Sequence, residues 1–185
     1  MLAFSPTKQS IDQMNSLPFK DRAVVALIPG PSSSERANSL IHRLTDRLRD
    51  QLENDSEISL VSEDVVRAAE SKTEFPDTSQ RAELEELGIT PFGAHLSLAC
   101  NVAIFIRTAW GQADTIEIAS GRPPSCVGHR TLIRAANESD IDAFSYRDSV
   151  RDDIALCLDG DLFAAHMRGF FEGLESGKSA NDRNG

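Results

Sequence analysis

The stretch at residues 101–120 reads NVAIFIRTAWGQADTIEIAS and decides the predicted fold. Residues 102–106 form an unbroken apolar run with β-branched and aromatic side chains, which is typical of a strand buried on both faces of a parallel sheet. After Arg107 a polar turn follows, and the acids Asp114 and Glu117 indicate the first turns of a helix. Carboxylates just beyond the carboxyl end of a central strand lie where open α/β sheets bind ligands. Acids in a first helical turn also complement the helix dipole, so spacing alone leaves a purely structural role open.

The chain before this stretch has the pattern of a β-α-β unit. Residues 23–28 are apolar, and a turn around Gly30 ends that predicted strand. Ser32 and Glu35 have the spacing of a capping box, and the helix after them carries an apolar stripe with a 3.6-residue period. Residues 57–61 alternate and predict a second strand. Two strands joined through a helix in one sheet are expected to cross over with a right hand.

The remaining segments continue the alternation of helices and strands. Together they predict an α/β fold, a doubly wound, mostly parallel sheet of about five strands with helices on both faces. We expect a single domain at residues 22–176, an N-terminal extension at 1–21 and a disordered polar tail at 177–185. The remaining predicted elements are helices at 62–70, 80–87, 90–100 and 150–158, strands at 130–133 and 141–146, and a last helix with the apolar face Leu162, Phe163, Met167, Phe170, Phe171 and Leu174.

Composition limits the classes of function. The formal net charge is -10 and the pI about 4.8, which argues against broad binding to nucleic acid or anionic membranes. No apolar run approaches the roughly 20 residues that cross a bilayer, and the start of the chain lacks the pattern of a signal peptide. The three cysteines have no metal-type spacing. An odd cysteine count without a signal peptide predicts a protein of the reducing cytoplasm.

Two loops carry groups that suit a small ligand. In the first, Gly30 and the hydroxyls of Ser32, Ser33 and Ser34 lead into a helix N-terminus, which favours an anion or a hydroxyl group. Because serine is also a common helix cap, a structural role stays open. In the second, Trp110 precedes the two acids and offers a ring for stacking on a base or a nicotinamide, or for half-buried packing. No motif of a P-loop, a serine hydrolase or a metal site is present, so we predict no metal and no cofactor.

The order of elements around Glu117 resembles that of the nucleoside 2-deoxyribosyltransferase-like superfamily and its TIR-like relatives in bacterial defence. In that group a mid-chain strand leads to a glutamate within G-[ST]-x-x-E-[IL]-G. Here residues 114–119 read DTIEIA and match the glutamate, the aliphatic residue after it and the small residue. The chain departs where Ala113 and Asp114 replace the Gly-Ser pair, and where Asn101 replaces the aspartate usual before the strand. The resemblance covers roughly residues 23–146.

The resemblance implies chemistry at an N-glycosidic bond, with a nucleoside, a nucleotide or NAD as the small-molecule partner. Glu117 would attack or stabilise the anomeric carbon, and Asp114 would orient a ribose hydroxyl. The loop at residues 32–34 would face the sugar or phosphate, and Trp110 would cover the base. If the two acids lie close together, their repulsion should raise the pKa of one of them.

The departures from the motif leave enzyme activity open. The alternative is a module on the same fold that senses a nucleotide or binds a protein without catalysis. The phenylalanine-rich face of the last helix also leaves homo-oligomerisation open. In either case we expect no direct contact with nucleic acid or membrane.

Overall fold

A computed structural model describes residues 19, 21–32, 34–110, 114–125 and 128–160, together with positions 164, 165, 168 and 172. It contains one five-stranded sheet flanked by helices, with the strand order β2-β1-β3-β4-β5. The predicted α/β class with five strands is therefore confirmed. The strands are β1 (Ala23–Pro29), β2 (Ile58–Leu60), β3 (Val102–Thr108), β4 (Thr115–Gly121) and β5 (Gly128–Arg134).

The first half of the sheet is parallel, as the sequence predicted. Strand β1 pairs in parallel with β2 on one side and with β3 on the other. Both β1 and β3 are apolar runs, and Val25 and Val102, which face each other, are fully buried. Burial on both sides explains why neither strand alternates between apolar and polar residues.

The second half of the sheet is antiparallel, so the prediction of a mostly parallel sheet is wrong there. Strand β4 pairs antiparallel with β3, and β5 pairs antiparallel with β4. The predicted helix start at Asp114 and Glu117 is a strand instead. Ile116 and Ile118 repeat every second residue and are buried on one side, which is the period of a strand. The connection from β3 is also far shorter than the crossover of a dozen or more residues that a parallel partner would need.

The helices lie mostly where the sequence placed them. Thr90 caps the helix Pro91–Ser97, and Gly88, just beyond the helix Arg81–Glu86, has a positive φ of 74°. The first helix is capped by Ser34 and not by Ser32, because the Ser34 side chain accepts the amide of Ala37. The helices are α1 (Glu35–Glu53), α2 (Glu63–Glu70), α3 (Arg81–Glu86), α4 (Pro91–Ser97), α5 (Glu138–Ala143) and α6 (Val150–Leu158), with 3-10 turns at Thr78–Gln80 and Tyr146–Asp148.

The predicted fifth strand at 141–146 is wrong. Asn137 and Asp140 cap each other's backbone amides in a capping box, and this reciprocal pair starts α5. Ile141 is the buried residue of that short helix. Asp153 on α6 is buried and accepts a hydrogen bond from the Thr131 hydroxyl at 3.0 Å.

Helices cover the two faces of the sheet unequally. The α1 face carries the larger core, where Leu44, Leu48 and Ile154 from α1 and α6 pack on the sheet. Each fully buried side chain of this kind contributes roughly 1.5–3 kcal/mol relative to exposure. The α4 face carries a smaller core around Leu96 and Ala103, beneath α2 and α4. Among the described helices, the one that packs on β4 and β5 is α6, which lies on the α1 face, and on the α4 face of β5 Leu132 is 53% exposed.

Gly93 lets helix α4 approach the loop after β4 closely. A Cβ atom built at Gly93 would lie 2.6 Å from the carbonyl oxygen of Pro124, so only glycine allows this approach. Within the described residues, no helix has the length and apolar character that a membrane span requires. The predicted tail at 177–185, the predicted apolar face of the last helix and all of the predicted extension except Phe19 and Asp21 lie outside the described residues.

Candidate functional site

Glu117 lies in the middle of β4 and is held by two arginines. Arg107 on β3 donates from Nε to Glu117 Oε2 over 2.6 Å, and Arg130 on β5 donates from Nη1 to Glu117 Oε1 over 3.0 Å. The strand register causes this arrangement, because Arg107 pairs directly across from Glu117 and Arg130 lies one diagonal position away. Three neighbouring strands thus place one carboxylate between two guanidinium groups. We call Arg107, Glu117 and Arg130 the arginine–glutamate cluster.

The cluster is cationic on its exposed side. The Glu117 side chain is 7% exposed, whereas those of Arg107 and Arg130 are 51% and 66% exposed. A buried carboxylate is costly without partners, and the two guanidinium groups supply the compensation. The cluster has a net charge of +1, although the whole chain carries -10. The surplus positive charge therefore faces solvent at one place on an acidic protein.

An open concavity lies over the cluster. Its volume is about 540 Å³, and it is bordered by the cluster, by Thr108 and Ala109 at the end of β3, by Trp110 and by Leu132. Trp110 is 100% exposed, which rules out the alternative of half-buried packing for this ring. A guanidinium pair beside an exposed indole offers charged donors for an oxyanion and a flat surface for a ring.

The predicted glycine and serine loop lies next to the cluster but is tied to α1. The Gly30 amide donates to the Ile106 carbonyl at 2.7 Å, and a Cβ atom at Gly30 would lie 3.1 Å from Arg107 Cβ. The Asn38 side chain bonds both the amide and the carbonyl of Ser32. Ser33 lies outside the described residues. The loop therefore supports the strand end, and its described hydrogen bonds are within the protein.

Asp114 and Glu117 border different concavities. Asp114 borders a separate concavity of about 320 Å³, which it shares with Ser34 and Arg36. Its carboxylate lies 3.5 Å from Arg134 Nε, in an exposed ion pair. The predicted site is thus divided in two, with Trp110 and Glu117 in one concavity and Ser34 and Asp114 in the other. Each of the two carboxylates has its own arginine partners, which are Arg107 and Arg130 for Glu117 and Arg134 for Asp114.

Arg107 and Arg130 are site residues that the sequence analysis missed. They lie 10 and 13 residues from Glu117 along the chain, and only antiparallel pairing brings them together. The alternation of Ile116 and Ile118 was the signal that could have found them, because it indicates a strand with Glu117 on the opposite face.

The described cysteines supply no nucleophile. Cys100 and Cys157 are both buried, and the Cys100 thiol donates to the Leu96 carbonyl at 3.4 Å. Burial, and then the charge of Asp153, raise the pKa of Cys157 to about 12, so its thiol stays protonated. Among the residues that the structure describes, no group of three or more histidine, cysteine or acidic side chains has the arrangement of a metal site.

The chain matches no protein-family model, no curated protein and no solved structure. The comparisons therefore add nothing for or against the resemblance to the deoxyribosyltransferase-like superfamily. Inference about function rests on the cluster and the concavity above it.

Proposed function

We propose that this protein binds a small anionic ligand with a planar ring, of the nucleotide class, without chemically transforming it. The observation that carries the proposal is the arginine–glutamate cluster, two exposed guanidinium groups fixed on one buried carboxylate beside the exposed ring of Trp110. In this proposal Arg107 and Arg130 bind the phosphate, and Trp110 stacks on the base.

The chemistry of each group supports this assignment. Guanidinium groups bind phosphate oxygens with paired hydrogen bonds, and a hydrogen bond to a charged group contributes about 1.5–3 kcal/mol. Stacking of a base on an aromatic side chain contributes about 1–3 kcal/mol. The described contacts of Arg107 and Arg130 to Glu117 use one nitrogen of each guanidinium. Glu117 in this role holds the two cations in place before the ligand arrives, which lowers the entropy cost of binding.

The surroundings of Glu117 favour binding over catalysis. A carboxylate that stabilises an oxocarbenium-like transition state must present negative charge to the anomeric carbon. Here each oxygen of Glu117 accepts from a guanidinium, and the charge of the cluster toward the concavity is positive. This positive charge attracts a phosphate, but it repels the cationic sugar that develops in such a transition state.

A second candidate function is an N-glycosidase or deoxyribosyltransferase that uses Glu117. One observation favours it, which is that Glu117 and Trp110 border the same concavity. In that reaction an oxygen of Glu117 bonds to the anomeric carbon while the glycosidic bond breaks, and the base leaves with the bonding electron pair and takes up a proton. Water or a second base then displaces the carboxylate. One of the two arginines must first withdraw from the carboxylate.

Trp110 provides a direct test because it is the single tryptophan of the chain. Titration with AMP is expected to quench its fluorescence with saturation, and a dissociation constant between about 10 μM and 1 mM follows from one phosphate contact pair and one stacked base. Adenosine, which lacks the phosphate, should bind at least about tenfold more weakly, and added salt should weaken AMP binding. Incubation with NAD and with nucleosides, followed by chromatography, tests the second candidate. Unchanged fluorescence at millimolar AMP would contradict the binding proposal, and free base or nicotinamide in the incubation would support catalysis.

A further inference from the structure

Strand β5 has an open edge. It is the last strand in the order of the sheet, and over the described part of the chain its one partner strand is β4. The strand at the other edge, β2, has three residues, whereas β5 has seven. A long unpaired edge presents a row of amide and carbonyl groups to which another strand can bond.

The hydrogen bonds identify which backbone groups face the open edge. The Ala135 amide donates to the Asp114 carbonyl at 2.9 Å, so residue 135 faces β4. In an antiparallel pair the direction of these groups alternates along each strand. Every second residue back from 135 therefore faces β4, whereas Arg130, Leu132 and Arg134 turn their amides and carbonyls outward.

The same three residues share one face of the sheet. Arg130 and Leu132 border the concavity on the α4 face, and alternation along the strand assigns Arg134 to that side. Leu132 is 53% exposed between the two cations. The ion pair of Arg134 with Asp114 is exposed at 3.5 Å, and such pairs are weak enough for a partner to displace. At the open edge, outward-facing amides and carbonyls are therefore combined with a row of side chains in which an apolar residue lies between two cations.

We propose that β5 is a docking strand for an acidic, extended segment of another protein. The segment adds antiparallel to β5, with an apolar residue opposite Leu132 and an acid on each side, opposite Arg130 and Arg134. Because side chains on one face recur every second residue, the two acids of the segment are four positions apart with the apolar residue midway. Main-chain hydrogen bonds give affinity, and the cross-strand pairs give specificity. Docking at β5 goes beyond nucleotide binding because it uses the strand edge and Arg134, and it shares only Arg130 with the arginine–glutamate cluster.

Charge favours an acidic partner over a second copy of the chain. Antiparallel pairing of two β5 strands about Leu132 would set Arg130 of one copy against Arg134 of the other. Like charges directly opposite each other destabilise a strand pair. An acidic segment converts both positions into attractive pairs.

A labelled peptide tests the proposal with the full chain. The probe is fluorescein-Thr-Glu-Thr-Val-Thr-Glu-Thr-amide, and the controls are the same peptide with lysine at both acidic positions and an isomer with the two glutamates adjacent. When the protein is added, the fluorescence anisotropy of the probe should rise to saturation, whereas that of the two control peptides should not. Arg134→Glu is expected to weaken its binding by about fivefold, because one attractive cross-strand pair becomes repulsive. AMP quenching of Trp110 should be the same in Arg134→Glu and wild type, which separates this test from the proposed function.

Amide hydrogen exchange of the free chain supplies an independent readout. The amides of Arg130, Leu132 and Arg134 should exchange fast, and the intervening amides of β5 should be protected by β4. Protection of all of them without peptide would mean that another part of the chain, or a second copy, already occupies the edge, and would overturn the proposal. If the probe and the isomer with adjacent glutamates bound equally well, general charge attraction would explain the binding, and the docking proposal would be overturned as well. So would the absence of binding at millimolar peptide.

Discussion

Replacement of Arg107 and Arg130 together by methionine is expected to lower the affinity for AMP by about 100-fold or more. Each arginine removed takes away a charge-assisted hydrogen bond of about 1.5–3 kcal/mol, and 1.4 kcal/mol is a factor of ten in affinity. The measurement is the saturation of Trp110 fluorescence by AMP. Arg22→Met is the matched control, because Arg22 is an exposed arginine that bonds Ser59 in the parallel half of the sheet.

The double variant leaves Glu117 buried without its two partners, and that change also lowers stability. A second variant with Arg107, Glu117 and Arg130 all replaced by methionine removes the buried charge along with the cations. Such replacement of a buried charge network by apolar residues is often neutral for folding. The triple variant should fold and still lose AMP binding. A folded triple variant that binds AMP within about threefold of the wild type would exclude the cluster as the phosphate site.

Replacement of Arg151 by leucine is expected to lower the free energy of unfolding by about 3–5 kcal/mol, the usual cost of removing one partner from a buried ion pair. Arg151 and Asp55 are both buried, and Arg151 Nε lies 3.3 Å from Asp55 Oδ2. Arg151 also bonds Glu57 at 2.7 Å, and its guanidinium stacks 4.3 Å from the centre of the Phe19 ring. The variant loses these contacts and leaves the buried Asp55 with the Tyr146 hydroxyl, the Glu57 amide and the more distant Arg147.

Urea denaturation of the wild type and Arg151→Leu measures this loss. Arg67→Leu is the control, since Arg67 forms exposed pairs within α2 that are worth at most about 1 kcal/mol. If the free energies of unfolding of Arg151→Leu and the wild type differ by less than about 1 kcal/mol, the other partners of Asp55 are enough to stabilise its buried charge. Those partners include the Tyr146 hydroxyl, which donates to Asp55 at 2.6 Å.

The stability loss should depend on pH. Burial raises the pKa of Asp55, but the Tyr146 hydrogen bond, the Glu57 amide and the charges of Arg151 and Arg147 outweigh burial and lower the pKa overall. A lowered pKa in the folded state contributes stability above the unfolded value of about 3.9, and this contribution is lost as the pH falls through the folded value. Protonated Asp55 carries no charge, so an ion pair with Arg151 no longer stabilises it. The gap in unfolding free energy between wild type and Arg151→Leu should therefore narrow below about pH 4.

The sequence predicted those parts of the fold that local patterns determine. The buried runs at residues 23–28 and 102–106 are apolar throughout, and the helices predicted at 62–70 and 90–100 are present as α2 and α4. It misassigned β4 because Asp114 and Glu117 are spaced like the acids of a first helical turn. The two-residue period of Ile116 and Ile118 indicated a strand instead. Pairing with β3 stabilises that strand in the folded protein.

The candidate site was harder to predict than the fold. Trp110 and Glu117 do lie together at one concavity, but Asp114 and Ser34 lie at another. The two arginines that determine the charge of the site become neighbours of Glu117 only through antiparallel register. Since no local motif records that register, the sequence predicted Glu117 and Asp114 as the catalytic residues and neither of the two arginines that flank Glu117.

In the proposed function Glu117 holds two anion-binding arginines and is not itself a catalytic group. Glu117→Gln is the most direct test of this role, because the amide keeps the shape of the side chain but removes the negative charge that competes with a ligand phosphate. AMP affinity of Glu117→Gln, measured by Trp110 fluorescence, should rise about fivefold, because the glutamine oxygen still accepts from one arginine while the competing charge is lost, and a screened charge at about 4 Å is worth roughly 1 kcal/mol. Asp114→Asn, the control carboxylate in the other concavity, should bind AMP like the wild type. Neither wild type nor Glu117→Gln should release base from nucleosides or nicotinamide from NAD. Wild-type turnover that disappears in Glu117→Gln, with no gain in AMP affinity, would contradict this role and establish Glu117 as catalytic.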